Sequence, residues 1–595
     1  MDAPRRPLRP TNHTNYIPPA LTPTAGWRLE RLGNMSQGTY LPVLDRCHLK
    51  TVSRAMKTGR PLEEVAAELE FSSVNDLLDA TATTVGIDLV DLEHVEVDSS
   101  LLEDFPIKLI HRFEVFPLRR TSDTLTLAVS NPFDIHAIDA IGAETRTAVT
   151  PVLTDGEQLR GLIKSHLGVG ADTVDGLLAL QKGEDSEVLG SLNGKDLEDA
   201  EQAQQASVVR LVNEILTAAI DTRASDIHVE AQEQGLKLRY RIDGVLQKQP
   251  TAAEMNQFRN AIVTRLKIMA KLNIAEKRVP QDGRIKLRVK GREVDIRVSM
   301  IPMLHGEGVV MRVLDKENLN FSLRGIGMSE NIYQRFEKLI RLPHGIILVT
   351  GPTGSGKTTT LYSALAEINN EENKIITTED PIEYQLQGIN QIQVNTKVGM
   401  TFAVSLRSIL RHDPDIVLVG EIRDLETAEN ATQASLTGHL VFSTLHTNDS
   451  SGAFMRLCDM GVEPFLVSST VEGVLAQRLV RQLCSDCCEP DVRSRSEAPE
   501  DFPWEVMREC RRTIYRSVGC PSCRGTGYRG RMGIYELLTT NEELRNLATE
   551  RAPSTELKKA ARRAGMTTLR DDGWKKVMAG DTTIDEVLRV TKADD

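Results

Sequence analysis

Gly351-Pro-Thr-Gly-Ser-Gly-Lys357-Thr358 is the stretch whose reading decides this fold. An apolar run, Ile346-Ile-Leu-Val-Thr350, leads into it. A helix-like segment, Thr359-Thr-Leu-Tyr-Ser-Ala-Leu-Ala366, leads out. Strand, glycine-rich loop and helix form the context that a phosphate-binding loop requires. The glycines let backbone N–H groups turn inward around phosphate oxygens, and the helix N-terminus adds positive potential. Gly351, Pro352, Thr353, Gly354, Ser355, Gly356, Lys357, Thr358 and Thr359 are therefore expected to hold a nucleotide. Lys357 is expected to reach its β- and γ-phosphates, and the Thr358 hydroxyl to ligate Mg²⁺.

Downstream, Lys374-Ile-Ile-Thr-Thr-Glu-Asp-Pro-Ile-Glu383 reads as a short strand ending in three acids, Glu379, Asp380 and Glu383. Such a cluster is costly unless a cation or a water is placed there. Asp413-Pro-Asp-Ile-Val-Leu-Val-Gly-Glu421 is a second strand with one acid just past its end, so Glu421 is the candidate for activating water. Leu440-Val-Phe-Ser-Thr-Leu-His446 is a third strand. A histidine there is either structural or a γ-phosphate sensor. Its place at the carboxyl edge of an open α/β sheet, where ligands bind, favours the sensor.

Upstream, helical spacing of Val208, Leu211, Val212, Ile215, Leu216 and Ala219 precedes alternating hairpins: Leu236–Ile242, Arg284–Val289 and Glu293–Ser299. This α+β domain carries Arg278, Arg284, Arg297 and Arg312. On one strand, alternate charges read as a solvated face; beside a nucleotide they read as arginine fingers. Before it lies an acidic, glycine-rich linker, and before that a small α/β domain. In that domain Leu62, Val65, Ala66 and Leu69 have helical spacing, and Thr124–Ser130 alternates like a strand. Residues 1–25 contain six prolines and read as a disordered tail.

Cys484-Ser-Asp-Cys487 and Cys520-Pro-Ser-Cys523 are paired C-x-x-C motifs able to close a tetrahedral Zn²⁺ site. The other reading is four free or redox thiols. Cys488 and Cys510 are spare, and Cys47 and Cys458 are expected to be packed. Helix-like stretches from Glu542, Ser554, Asp571 and Thr583 follow, broken at Gly565 and Gly580.

At 595 residues the chain holds several domains. A net charge of −12 and the lack of a basic stripe argue against a nucleic-acid motor. No apolar stretch of about 18 residues is present, nor a secretory signal, so a cytoplasmic location is expected. The expected divisions are a tail at 1–39, a docking domain at 40–168, a linker at 169–204, the α+β (PAS-like) domain at 205–315, a RecA-like P-loop core at 316–480, a tetracysteine subdomain at 481–530 and a helical C-terminal subdomain at 531–595.

Taken together, Gly351–Thr358, Glu379–Glu383, Leu406–Asp415, Gly420–Asp424 and Thr437–Asn448 resemble the ordered motifs of the secretion ATPase superfamily, which drives type II secretion and type IV pilus assembly. The resemblance continues through Ala476–Arg481, the four cysteines and Gly530–Glu536, and back to Ala224–Glu230. It implies a homohexameric ring that hydrolyses ATP with Mg²⁺ at subunit interfaces. It implies catalytic roles for Glu421, Lys357, Glu379, Glu383 and His446, and arginines at 297 and 312 that reach a neighbouring subunit's nucleotide, with Arg284 beside them. It implies Zn²⁺ at the cysteines. It further implies docking of the N-terminal domain on an inner-membrane secretion platform and its cytoplasmic docking protein, with peripheral association at the membrane's inner face. Gly452–Pro464 and Gly580–Thr591 look more like type II secretion than the alternative, pilus assembly. Related N-terminal domains bind cyclic di-GMP through a repeated Arg-Leu-Gly motif. Arg31-Leu-Gly33 matches only its start, so that ligand is not expected. A scaffold that binds ATP without hydrolysing it is the remaining alternative.

Overall fold

The computed structural model describes residues 44–592, apart from 59, 93–94, 96, 98–100, 122, 168–172, 174–193, 252, 290, 316–320 and 510–512. The expected tail at 1–39, Arg31-Leu-Gly33, most of the linker and Cys510 lie outside the described residues. The described residues form two compact units, one within 44–89 with 131–133, the other within 90–130 with 134–592.

In the first unit, helices Arg46–Thr58, Leu62–Glu68 and Val74–Val85 close a core of Val52, Ala55, Val65, Ala66, Leu77 and Ala80. The Ser73 hydroxyl caps the third helix by accepting from the Asp76 N–H at 3.1 Å. The docking domain expected over 40–168 spans both this unit and the α/β residues after it. Its helices close a core without any strand, and no local signal marks that division. Cys47, expected to be packed, is exposed.

The second unit begins with a three-stranded sheet in the order β1 (Val115–Arg120), β2 (Thr124–Val129), β3 (Ala148–Leu153). β2 and β3 are parallel, joined by helix Ile135–Thr145. The helix Gly194–Asp221 begins inside the stretch read as linker. Its buried side chains, Val208, Leu211, Val212, Ile215, Leu216 and Ala219, are those the spacing predicts.

That helix and helix Arg259–Met269 cover one face of a six-stranded antiparallel sheet. Its strands are β4 (Ala224–Gln232), β5 (Gly235–Ile242), β6 (Val245–Lys248), β7 (Gln281–Val289), β8 (Arg292–Met303) and β9 (Gly306–Asp315), ordered β6-β5-β4-β9-β8-β7. Val294, Ile296, Val298 and Met300 alternate into the core while Asp295, Arg297 and Ser299 face away.

The larger sheet contains β10 (Gly345–Thr350), β11 (Ile375–Glu379), β12 (Asn390–Gln393), β13 (Ile416–Val419), β14 (Leu440–Leu445), β15 (Val471–Leu483) and β18 (Tyr528–Thr539). The order is β12-β11-β13-β14-β10-β15-β18, parallel except for β18. Leu348, Val417 and Val441 enter the core on one face, and Ile347, Leu418 and Phe442 the core on the other. Burial on both faces explains why these strands read as unbroken apolar runs. Each such side chain contributes about 1.5–3 kcal/mol of transfer free energy.

The expected boundary at 480 cuts through β15, and β18, which completes the same sheet, straddles the expected boundary at 530. Between them, residues 484–527 form the cysteine module, with the small ladder β16 (Glu489–Pro490) and β17 (Tyr515–Arg516). Phe502 and Trp504 of this insertion pack against Trp574 and Val577 of helix Leu569–Ala579. Among the described residues no helix is long and apolar enough to cross a membrane.

Candidate functional site

The glycine-rich loop follows β10, and helix Lys357–Ile368 leaves it. Gly351 has φ 150°, and a Cβ there would lie 2.6 Å from the Gln477 carbonyl oxygen and from the Ser355 hydroxyl. Only glycine permits this approach. Lys357 folds back over the loop, its Nζ donating to the carbonyls of Gly351 at 2.9 Å and Pro352 at 3.1 Å. Burial holds its ammonium below the usual lysine range, and nearby Glu421 works in the opposite direction. Thr358 and Thr359 occupy the first turn of the helix and are partly exposed.

β13 delivers Glu421 to the carboxyl edge of the sheet. Gly420 N–H donates to the Thr378 carbonyl at 2.8 Å, and Ile422 N–H to the Thr444 carbonyl at 3.1 Å, so backbone on both sides fixes the carboxylate. Glu421 is 14% exposed. It pairs with Arg423 at 2.5 Å and lies 3.4 Å from His446 Nε2. Three strands thus bring Lys357, Glu421 and His446 to one edge, as their positions in the sequence imply.

The acids after β11 separate into different environments. Glu379 is buried, and both its oxygens are occupied: Thr377 donates at 2.5 Å, Gln391 at 3.1 Å, and the Tyr362 hydroxyl also donates. A carboxylate so enclosed ties the strand end to Tyr362, Thr377 and Gln391. Asp380 is exposed. Glu383 lies 3.9 Å from Arg297 of the same chain, and Arg297 also donates to the Ile382 carbonyl at 3.5 Å. Burial pulls the Arg297 guanidinium down, Glu383 opposes this, and Arg284 and Arg312 add to it. Arg297 therefore lies against the loop after β11 of its own chain. Arg312 pairs with Asp226, Arg284 is exposed, and Arg278 is held by Glu276 at 2.8 Å.

Two residues of the loop's surroundings had no role in the sequence reading. Gln477 Nε2 donates to the Ser355 carbonyl at 2.7 Å, and Arg478 spans from the Gln477 carbonyl at 3.0 Å to the Asn448 carbonyl at 2.9 Å. Both lie on β15, the parallel neighbour of β10. The signal was Gln477 and Arg478 side by side inside the apolar run Val474–Val480.

At the mouth of the β15–β18 pair, the sulfurs of Cys484, Cys487, Cys520 and Cys523 all lie within 4.8 Å of one another. The 484–520 and 487–523 distances are 3.8 Å, and 520–523 is 3.7 Å. A tetrahedral Zn²⁺ with bonds of about 2.3 Å has sulfur–sulfur edges of about 3.8 Å, so the four thiols fit that metal. Burial raises the Cys523 thiol, but N–H groups of Cys520 and Gly527, each 3.1 Å from its sulfur, more than offset this and bring it to about 6. Cys488 stands beside the cluster, half-buried. Cys458 is half-buried and packs against the core of the large sheet.

Residues 201–589 match the type II/IV secretion system protein family, and residues 85–172 match the MshEN domain. Type II secretion system protein E of Xanthomonas campestris pv. campestris is 42% identical over 541 residues, covering 90% of this chain and 94% of the relative. Type II secretion system ATPase E of Vibrio cholerae is 53% identical over 392 residues, covering 66% of this chain and 77% of the relative. The type IV pilus assembly ATPase PilB of Myxococcus xanthus is 42% identical over 539 residues, covering 90% and 94%.

Proposed function

This chain belongs to the type II/IV secretion system protein family, and from that membership we propose that it is the ATPase that powers type II protein secretion by assembling a pseudopilus. It hydrolyses ATP. The loop N–H groups and Lys357 hold the β- and γ-phosphates, and the Thr358 hydroxyl ligates Mg²⁺, which neutralises phosphate charge. Glu421 orients the attacking water and takes its proton, with His446 beside the γ-phosphate. Glu383 and the buried Glu379 fix the facing loop. Arg297 and Arg312 stabilise charge on the transferring phosphoryl group.

The chain works as a homohexamer in the cytoplasm, held at the inner face of the cytoplasmic membrane by partners. The N-terminal residues dock on the secretion platform and its cytoplasmic docking protein. The four cysteines hold a structural Zn²⁺. The divisions expected from sequence serve these roles, with β15 and β18 assigned to the ATPase sheet. Supporting this reading, one sheet edge gathers Lys357, Glu421 and His446 while Arg297 approaches from the other sheet's domain.

The test is Glu421→Gln. It should keep ATP binding and lose about 10²–10³ in turnover. Wild-type turnover would remove Glu421 from its role. The same variant, held with ATP and retrieved from membranes, should bring a secretion platform with it. Retrieval of a pilus platform and pilin would instead favour pilus assembly, an alternative that the PilB relative keeps open.

A further inference from the structure

Five adjacent strands of the six-stranded sheet carry one row of charged residues. Arg284 on β7 is paired with Arg297 on β8, Arg297 with Arg312 on β9, Arg312 with Asp226 on β4, and Asp226 with Arg241 on β5. Like charges directly opposite one another on a sheet repel. Here three arginines stand abreast and a fourth follows, with one carboxylate among them. A sheet retains such a row only where something other than stability requires it.

Asp226 is 12% exposed on its side chain, and its contacts are specific. Oδ1 accepts from Arg312 Nε at 3.1 Å. Oδ2 accepts from the Ser225 hydroxyl at 2.8 Å and lies 3.4 Å from Arg241 Nε. Arg241 is itself tied down, donating through Nη1 to the Gly244 carbonyl at 3.1 Å. The carboxylate is thus fixed from one side and grips Arg312 from the other. Arg312 has half of its side chain exposed and, among the described residues, no partner on its two terminal nitrogens. A cavity of about 450 Å³ opens there, lined by Asp226, Arg284, Arg297, Ser299 and Arg312.

We infer that Asp226 is a positioning residue for hydrolysis. By binding Nε it sets the rotation of the Arg312 guanidinium and leaves the two terminal NH₂ groups free for phosphoryl oxygens. It also neutralises one of the clustered charges, so that Arg297 and Arg312 can face the same anion. Without it, a long side chain must be ordered by the phosphate at each turnover, and the fork geometry that suits phosphate is lost. The inference rests on Arg312 acting at the nucleotide, as proposed above.

The experiment is a double-mutant cycle of Asp226→Asn and Arg312→Ala in the full-length protein, with kcat, KM for ATP and melting temperature measured for each. Asp226→Asn should lower kcat about 10- to 100-fold with KM within about twofold, because the interaction strengthens in the transition state. In the Arg312→Ala background it should cost nothing more, since its target is gone. Asp226→Glu, which keeps the charge, should recover part of the loss. Asp226→Ser, which also removes the charge, carries the same cycle should the asparagine variant fail to fold. If Asp226→Asn costs the same factor with and without Arg312, or costs nothing with Arg312 present, the positioning role is overturned. If Arg312→Ala itself turns over at the wild-type rate, the arginine reading falls first, and the cycle shows which of the two has failed.

Discussion

In the seven-stranded sheet, β10, β13 and β14 are buried along their whole length. In the six-stranded sheet, β4, β5 and β8 alternate between buried and part-exposed residues. The first is parallel and covered by helices on both faces, so it has no face free for polar chemistry. Its functional groups lie at its carboxyl edge: Lys357, Glu421 and His446 all follow strand ends. The second is antiparallel and covered on one face only. The groups proposed to act from it lie on the other face, as the row from Arg284 to Arg241. Groups in the first sheet are therefore placed by strand register and loop backbone, and groups in the second by cross-strand neighbours that repel one another. The face site costs some stability, and that difference can be measured.

Arg297→Leu sharpens it most. Arg297 is 21% exposed on its side chain, has a buried Nε without a partner, and stands between two arginines. Removing its charge should lower turnover about 10³-fold, the low end for an arginine that stabilises a phosphoryl transition state. The melting temperature should stay the same or rise, since repulsion and an unsatisfied buried donor are both removed. A fall of several degrees would show that the arginine row supports the fold. Assemblies mixed from Arg297→Leu and Lys357→Ala subunits should remain inactive if Arg297 serves the nucleotide of the chain whose Glu383 it contacts. Recovery on mixing would move the arginine to a neighbour's nucleotide.

The same contrast governs how much of this was legible beforehand. The edge site is local in sequence: a glycine-rich loop after an apolar run, and acids or a histidine just past later runs, can be read from the chain alone. The face site depends on register. That Arg284, Arg297, Arg312 and Asp226 share one row is set by hairpin pairing and by β4 meeting β9, a pairing between residues more than 80 positions apart. The sequence shows the arginines but not their order, so from pattern alone a solvated face is the first reading and a catalytic one the second. The enclosure of Glu379 by Tyr362, Thr377 and Gln391, and the approach of Gln477 and Arg478 to the loop, depend likewise on strands that are neighbours only in the folded sheet.

The tetracysteine module tests the comparison at a third place, where the large sheet gains its one antiparallel strand. Its thiols touch neither the edge site nor the arginine row, although Arg524 reaches the Thr222 carbonyl at 3.2 Å and Asp243 accepts from the Gly530 N–H at 3.0 Å. Metal analysis should find about one Zn²⁺ per chain, and none in Cys484→Ser with Cys520→Ser. Proteolysis should then cut within 484–527 while turnover falls less than tenfold, because Phe502, Trp504 and Trp574 still hold part of the module. A loss as large as that from Arg297→Leu would mean that the module positions the arginines, through Arg524 and Asp243.

The smallest effect on turnover is expected for Glu586, which ties β15 to helix Ile584–Val590 and contacts none of Lys357, Glu421, His446 or the arginine row. Its carboxylate accepts from Arg481 at 2.5 Å and from Arg589 at 2.9 and 2.8 Å. Burial alone would raise its pKa, but these two guanidiniums outweigh it and hold the group at about 2. The unfolded value is about 4.3. A depressed folded value stabilises the native state fully above the unfolded pKa and is lost as pH falls through the folded one. Glu586→Gln should therefore cost on the order of 2 kcal/mol at neutral pH, with ATP turnover unchanged. That difference from wild type should shrink steadily between about pH 4.3 and the folded pKa of about 2. A gap that stays constant across that range would show that the two arginines do not depress this carboxylate. The contact would then act by shape alone.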